Sequence, residues 1–228
     1  MIQGKDEVTA VLTLLDWTHK QWEHNGSNEP SKSDALTILK EVKEGKKYRC
    51  VEYGIVVSQA LLAVGKKARV VGLKTRDVET CKVAAGHVLA EVWLEGHQKW
   101  ALIDGQMNVM PMLNNMPLNS VELQAAIIDK KPVQFMNING VVSESKAENY
   151  IDFVAPYLYY FDIKFDNRPM IDPKQRIKVN GKRVLMLVPV GAKNPTVFQR
   201  ENPIDYCEYT NSLNDFYAVP MDTLVAVK

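Results

Sequence analysis

Apolar residues recur at helical spacing through the N-terminal part of the chain and at strand spacing after it. Val8, Val11, Leu12, Leu15, His19 and Trp22 share one helical face, and the pattern stops at Asn25-Gly26, which predicts a first helix. Asn25-Gly-Ser-Asn-Glu-Pro-Ser31 reads as a loop. A second helix is expected from about Asp34 to Lys43, with Ser33 as N-cap, Leu36, Leu39 and Val42 on its buried side and Gly45 as terminator. The third is Cys50-Val-Glu-Tyr-Gly-Ile-Val-Val-Ser-Gln-Ala-Leu-Leu-Ala-Val64, ended by Gly65. It is apolar almost all round, so central burial is expected.

Ala68-Arg-Val-Val-Gly-Leu73 then reads as a core strand, and residues 74–85 as a polar connection long enough to flank a cleft. His87-Val-Leu-Ala-Glu-Val-Trp-Leu94 and Lys99-Trp-Ala-Leu-Ile-Asp104 are rich in β-branched and aromatic residues, with the turn signal Glu95-Gly-His-Gln98 between them, and read as a β-hairpin. Asn119 to Ile128 reads as a short capped helix that closes a core over residues 1–128. From residue 129 to 228 the texture changes to turn-punctuated apolar runs, notably Tyr157–Phe165, Arg183–Pro189 and Phe216–Val219, with an Asn180-Gly181 hairpin signal. This predicts a β-rich C-terminal extension, either separate or packed onto the same sheet.

Three residues in these elements carry candidate chemistry. Cys50 opens its helix, where unpaired N–H groups and the positive end of the helix dipole favour a thiolate, so its thiol is expected to ionise below the ordinary range. A hairpin turn on Glu95-Gly96 puts His87 directly opposite Asp104, and a turn on Gly96-His97 makes them diagonal neighbours on one face. Either brings a base and a base-orienting carboxylate together. A thiol nucleophile needs an imidazole to take its proton, and the imidazole needs an acceptor on its other nitrogen. Backbone N–H groups at the helix start, that of Cys50 included, are suited to an oxyanion.

At these residues the chain resembles the transglutaminase-like superfamily, through Arg49-Cys-Val-Glu-Tyr53, Val64-Gly-Lys-Lys-Ala-Arg-Val70, Gly86-His-Val-Leu-Ala-Glu-Val92 and Lys99-Trp-Ala-Leu-Ile-Asp104. The resemblance covers roughly residues 30 to 110, and its specificity lies in the order and spacing of the four motifs. It implies an α+β papain-like core with a buried cysteine-bearing helix on an antiparallel sheet, and acyl transfer through a Cys50 thioester with His87 and Asp104. Val88, Leu89 and Gly105 depart from positions where many relatives carry an aromatic residue or a proline. The superfamily holds protein cross-linkers, peptide and amide hydrolases and glycopeptide deglycosylases, so the resemblance implies thiol chemistry without choosing a substrate. Hydrolysis of a peptide, protein or small amide is the first expectation, because water is the default acceptor and no second amine site is evident. Amine transfer to glutamine-bearing protein and a non-catalytic binding module on the same fold are the alternatives.

Relatives often place an oxyanion donor before the nucleophile, which makes Trp22 and His24 candidates for it; core packing and a helix-end cap are equally good readings. Glu91 shares a strand face with His87, so it either lines the cleft or makes a structural ion pair. Arg69 reads as a structural charge anchor. His97 is expected in the hairpin turn, and Met107, Met110, Met112 and Met116 as an apolar loop on the core or the wall of a substrate pocket.

A chain of 228 residues with 46% hydrophobic content can bury one sizeable core, alone or with a smaller lobe. Its net charge is +1 and no basic block is interleaved with aromatics, so neither nucleic acid nor an anionic membrane is an expected partner. No apolar run approaches the roughly 18 residues of a span, and Met1-Ile-Gln-Gly-Lys-Asp-Glu-Val8 has no signal-peptide core. A cytoplasmic location is expected if that start is native, and an extracytoplasmic one if a leader precedes it. Cys50, Cys81 and Cys207 are too few and too scattered for a disulfide framework. Cys81 lacks the Cys-x-x-Cys or His-x-His partner of a metal site, and no cofactor is expected.

Overall fold

Six strands hydrogen-bond into one sheet, and the most apolar helix of the chain lies against it. The computed structural model describes residues 2–218. Three helices come first, α1 (Glu7–His19), α2 (Ala35–Lys43) and α3 (Cys50–Ala63), then β1 (Ala68–Lys74), β2 (Gly86–Leu94), β3 (Lys99–Ile103), β4 (Met110–Leu113) and β5 (Met116–Pro117). After α4 (Ser120–Ile128) follow β6 (Gln134–Asn137), β7 (Gly140–Val141), α5 (Glu144–Val154) and β8 (Tyr160–Lys164). The described chain closes with β9 (Val184–Leu187), β10 (Val197–Phe198), β11 (Asn202–Pro203), β12 (Cys207–Thr210) and α6 (Leu213–Phe216).

The main sheet has the order β12-β9-β8-β1-β2-β3, antiparallel except where β12 runs parallel to β9. β1 pairs with β2 on one side and with β8 on the other, so strands from both halves of the chain share one sheet. A smaller sheet has the order β5-β4-β6-β7. The result is an α+β fold with the cysteine-bearing helix on an antiparallel sheet, as expected. Val57 and Leu61 of α3 pack with Ala90 and Val92 of β2 and with Val11 and Leu15 of α1. Gly54 permits the approach of helix to strand, since a Cβ there would lie 3.0 Å from the Leu89 carbonyl oxygen.

Three expectations for the helices need correction. The first helix ends at His19 with Lys20 as C-cap, short of Asn25. Beyond it the chain turns so that Trp22 stacks on Tyr53 at 4.2 Å and the Asn25 N–H donates to the Tyr48 carbonyl at 2.8 Å. The N-cap of α2 is Asp34, not Ser33, and its carboxylate accepts from the Thr37 N–H at 2.8 Å. Leu39 and Val42 of α2 pack against the core as expected, but its buried residues are Ala35, Ile38 and Glu41, and Leu36 is 64% exposed, because Tyr48 and Ser31 hold the Glu41 carboxylate inward.

The C-terminal part is less uniformly β than its texture predicts. α5 occupies residues inside it, and Leu213–Phe216 is a short helix where a strand was expected to begin; Val219 lies outside the described residues. Asn180 and Gly181 both have positive φ, and Val179 bridges Lys182 across them, the tight turn their sequence calls for.

Candidate active site

Cys50 is the first residue of α3, where its N–H has no intrahelical acceptor. The turn it opens is fixed by Glu52. That carboxylate accepts from the Arg49 N–H at 3.1 Å and pairs with the Arg49 guanidinium at 3.0 Å, while Arg49 also reaches Glu29. Glu52 is fully buried, so the helix start is anchored by a charge pair that solvent screens only on the arginine side.

His87 is the second residue of β2, and Asp104 follows directly after β3. Leu94 pairs with Lys99 and Ala90 with Ile103, so the loop is Glu95–Gln98 centred on Gly96-His97, and His87 and Asp104 are diagonal neighbours. His87 Nε2–H donates to Asp104 Oδ2 at 2.8 Å, with the two residues 2% and 0% exposed. Asp104 accepts twice more, from the Met107 N–H at 3.0 Å and from the Tyr150 hydroxyl at 3.2 Å. Burial alone would push the His87 imidazole pKa down. The charge and hydrogen bond of Asp104 outweigh that, with the Cys50 side chain adding a smaller push, and hold it up at about 10.

Gly105 brings the Asp104 loop against the cysteine helix. A Cβ at Gly105 would lie 3.2 Å from Tyr53 Cβ and 3.3 Å from the Tyr53 carbonyl oxygen. This departure from the proline of many relatives therefore fits a close approach between the strand end and α3.

Sequence reasoning missed one wall of the site altogether. The Phe153 ring meets the His87 ring edge-on at 5.0 Å, and Tyr157, in the 3-10 turn after α5, lies 5.9 Å from it. Burial first, then Cys50, raises the Tyr157 pKa; burial and Asp104 keep the Tyr150 hydroxyl protonated and so a donor. The signal was available. Ser143 is an N-cap, and Ala147, Tyr150, Ile151 and Val154 fall at i, i+3, i+4 and i+7, a helical stripe within a segment read as strand-rich.

An open groove of about 550 Å³ borders this centre, lined by His19, Trp22, His24, Tyr53, Gln106 and Met107 among others. Cys50 and His87 are outside its lining, but Gln106 and Met107 adjoin Asp104, and Tyr53 is one turn along α3 from Cys50. His24 reaches the site electrostatically: burial, then the charge of His87, pulls its pKa down. Trp22 does not offer its indole to the site, because that N–H donates to the Tyr48 carbonyl at 3.3 Å and the residue is 8% exposed. Glu91 is no cleft residue either. One of its oxygens binds Arg69 at 2.6 and 3.0 Å, and the other accepts from Ser120 N–H, Ser120 Oγ and Tyr217, in a fully buried network. Arg69 also lies over the Trp100 ring at 4.1 Å and so is the structural anchor expected.

All three cysteines are free, and burial pushes the Cys207 thiol up to about 12. Met107 lines the groove, whereas Met110 and Met112 are in the core. Among the described residues no group of three or more His, Cys, Asp or Glu is placed to hold a metal ion, and no helix is long and apolar enough to cross a membrane.

Residues 2–105, a little under half of the chain and the stretch that contains Cys50, His87 and Asp104, match the transglutaminase-like superfamily. The similarity to this superfamily is confined to that segment. A solved structure, of a candidate cysteine protease from Cytophaga hutchinsonii, aligns at 16% identity and a TM-score of 0.37 over 46% of this chain and 33% of that one. The chain thus matches about a third of that protein's length. No curated protein matches.

Proposed function

We propose that the protein is a thiol enzyme that hydrolyses a peptide or amide bond through an acyl intermediate on Cys50. The observation that carries this reading is the buried 2.8 Å His87–Asp104 hydrogen bond beside the start of α3. With Nε2 committed to Asp104, Nδ1 is the nitrogen left to take the Cys50 proton.

In the proposed reaction His87, which Asp104 holds protonated, already carries the Cys50 proton on Nδ1, and Sγ bonds to the acyl carbon as the thiolate of that pair. The carbonyl π electrons move onto oxygen, where the Cys50 N–H at the start of α3 meets the charge, with His24 of the adjoining groove as the candidate second donor. Collapse breaks the C–N bond, and His87 returns its proton to the leaving amine, which departs neutral. Water then gives a proton to His87, its oxygen attacks the thioester, and the released thiolate is paired again with the protonated His87. Asp104 orients the ring. The groove beside the site is open to a chain-like substrate.

The test is incubation of the enzyme with peptide and amide substrates in the presence of a large excess of labelled primary amine. A mass shift on Cys50 followed by free acid is expected. Near-stoichiometric amine incorporation would replace hydrolysis with amine transfer, and an unreactive Cys50 across a broad library would leave the fold as a binding module. Cys50→Ala should abolish turnover with the fold intact, and Asp104→Asn should cost less than His87→Ala.

A further inference from the structure

Two turns along α3 from Cys50, about 12 Å at the helical rise, Ser58 faces a second and smaller pocket. Ser58 is 2% exposed, yet its hydroxyl makes no hydrogen bond with any described residue. Next to it, Gln59 spends its carbonyl oxygen on the Ala35 N–H at 2.8 Å and keeps its amide hydrogens for the pocket. Across the pocket stand Lys164, Arg168 and Arg176, with Ile55 and Val70 as an apolar floor.

The charges in this pocket do not balance. Asp166 is its one carboxylate. Its oxygens are taken up by Arg168, at 2.7 to 3.0 Å, and by the Ile177 N–H at 3.1 Å. Arg176 reaches only the carbonyl oxygens of Asp166 and Arg168, at 3.3 and 3.1 Å, and these do not cancel its charge. Lys164, an exposed residue, forms no ion pair with a carboxylate among the described residues, and the charge of Asp162 is the one that favours its ammonium from nearby. Desolvation first, then the like charge of Arg176, lowers its pKa against the opposing charge of Asp162.

We propose that this pocket binds one tetrahedral oxyanion of the phosphate class. Four groups that converge there are donors, a hydroxyl, an amide NH2, an ammonium and a guanidinium, beside one side-chain acceptor, Asn167 Oδ1. They come from two sides, the helix and the 164–176 segment, which suits a tetrahedral acceptor better than a planar one. The enclosed room is only about 30 Å³, about one water's share of liquid volume, so an anion sits at the mouth, which opens to solvent beside Lys164 and Arg168. A bound anion relieves the repulsion between Lys164 and Arg176 and ties residues 164–176 to the helix that carries Cys50.

The test compares thermal unfolding of the full chain in sodium phosphate and in sodium chloride at equal ionic strength. Phosphate at a hundredfold above its Kd should raise Tm by about 5–10 °C beyond chloride. The double variant K164Q/R176Q should lose that shift, and S58A, which leaves every charge in place, should weaken the phosphate Kd by about tenfold in calorimetric titration. Phenyl phosphate forms a second arm. A shift with both probes marks a site for esterified phosphate, and a shift with inorganic phosphate alone marks one for the free ion. Equal shifts in phosphate and chloride, or an S58A Kd equal to that of the parent protein, overturn the proposal and leave a pocket that holds water only.

Discussion

The Tyr150 hydroxyl donates to Asp104 Oδ2 at 3.2 Å across 46 residues of sequence, so the carboxylate that holds His87 is itself held by a helix from outside the family-matched segment. Removing the hydroxyl leaves a fully buried carboxylate with one donor fewer. A hydrogen bond to a charged group contributes about 1.5–3 kcal/mol, so Tyr150→Phe should lower stability by that order while the ring keeps its packing on Phe135. Chemical denaturation measures it. An unchanged midpoint would mean that Asp104 is satisfied by His87 and Met107 alone.

The three free thiols differ in what surrounds them, and alkylation should separate them. Cys207 is 3% exposed and its thiol is raised to about 12 by burial, so iodoacetamide should leave it unmodified until the protein unfolds. Cys50, partly exposed beside His87, should react fastest, ahead of Cys81 in its loop. Peptide mapping after short exposure at neutral pH reads the order. Native-state labelling of Cys207 at the rate of Cys50 would contradict the burial assigned to β12.

The raised pKa of His87 fixes the sign of one pH effect. Below the ordinary value of 6.5 both folded and unfolded chains carry the proton, and the stabilisation from the His87–Asp104 pair is fully present. Above it the unfolded chain gives the proton up while the folded chain keeps it until about 10, so stability should fall steadily between these limits. Denaturation midpoints from pH 6 to 10, compared between the parent protein and His87→Gln, isolate the effect. The variant should show the shallower fall; parallel curves would mean that His87 is neutral in the folded state.

The parts of this site that can be read from sequence are those set by local pattern. An apolar run that starts at Cys50 and stops at Gly65 specifies α3 from end to end, and alternation from His87 to Ile103 specifies the hairpin. Which of two turns closes the hairpin was open, because both keep parity, and the structure selects the one centred on Gly96-His97. On α2, Leu39 and Val42 were placed on the right side and Leu36 was not, because Tyr48, outside that helix, draws Glu41 inward and leaves Leu36 in solvent. α5 was missed because Tyr150, Ile151 and Phe153 weigh as strand formers, although their neighbours repeat at helical spacing. Its contacts with His87 and Asp104 are non-local, and no single-sequence pattern encodes them.

Gly105 offers the sharpest test of how the strand end and the cysteine helix set each other's position. A methyl group there would meet Tyr53 Cβ at 3.2 Å and the Tyr53 carbonyl oxygen at 3.3 Å, and a helix backbone cannot swing aside as a flexible side chain does. The relief must come from moving the loop that carries Asp104, by a few tenths of an ångström, away from α3. Overpacking of this kind typically costs about 1–3 kcal/mol. Gly105→Ala should therefore lower Tm and, because the move widens the spacing between Cys50 and the His87–Asp104 pair, reduce kcat more than it raises KM. A drop in Tm with full kcat would show that the loop yields without disturbing the pair, and an unchanged Tm would show that the contact with Tyr53 is looser than the backbone geometry implies.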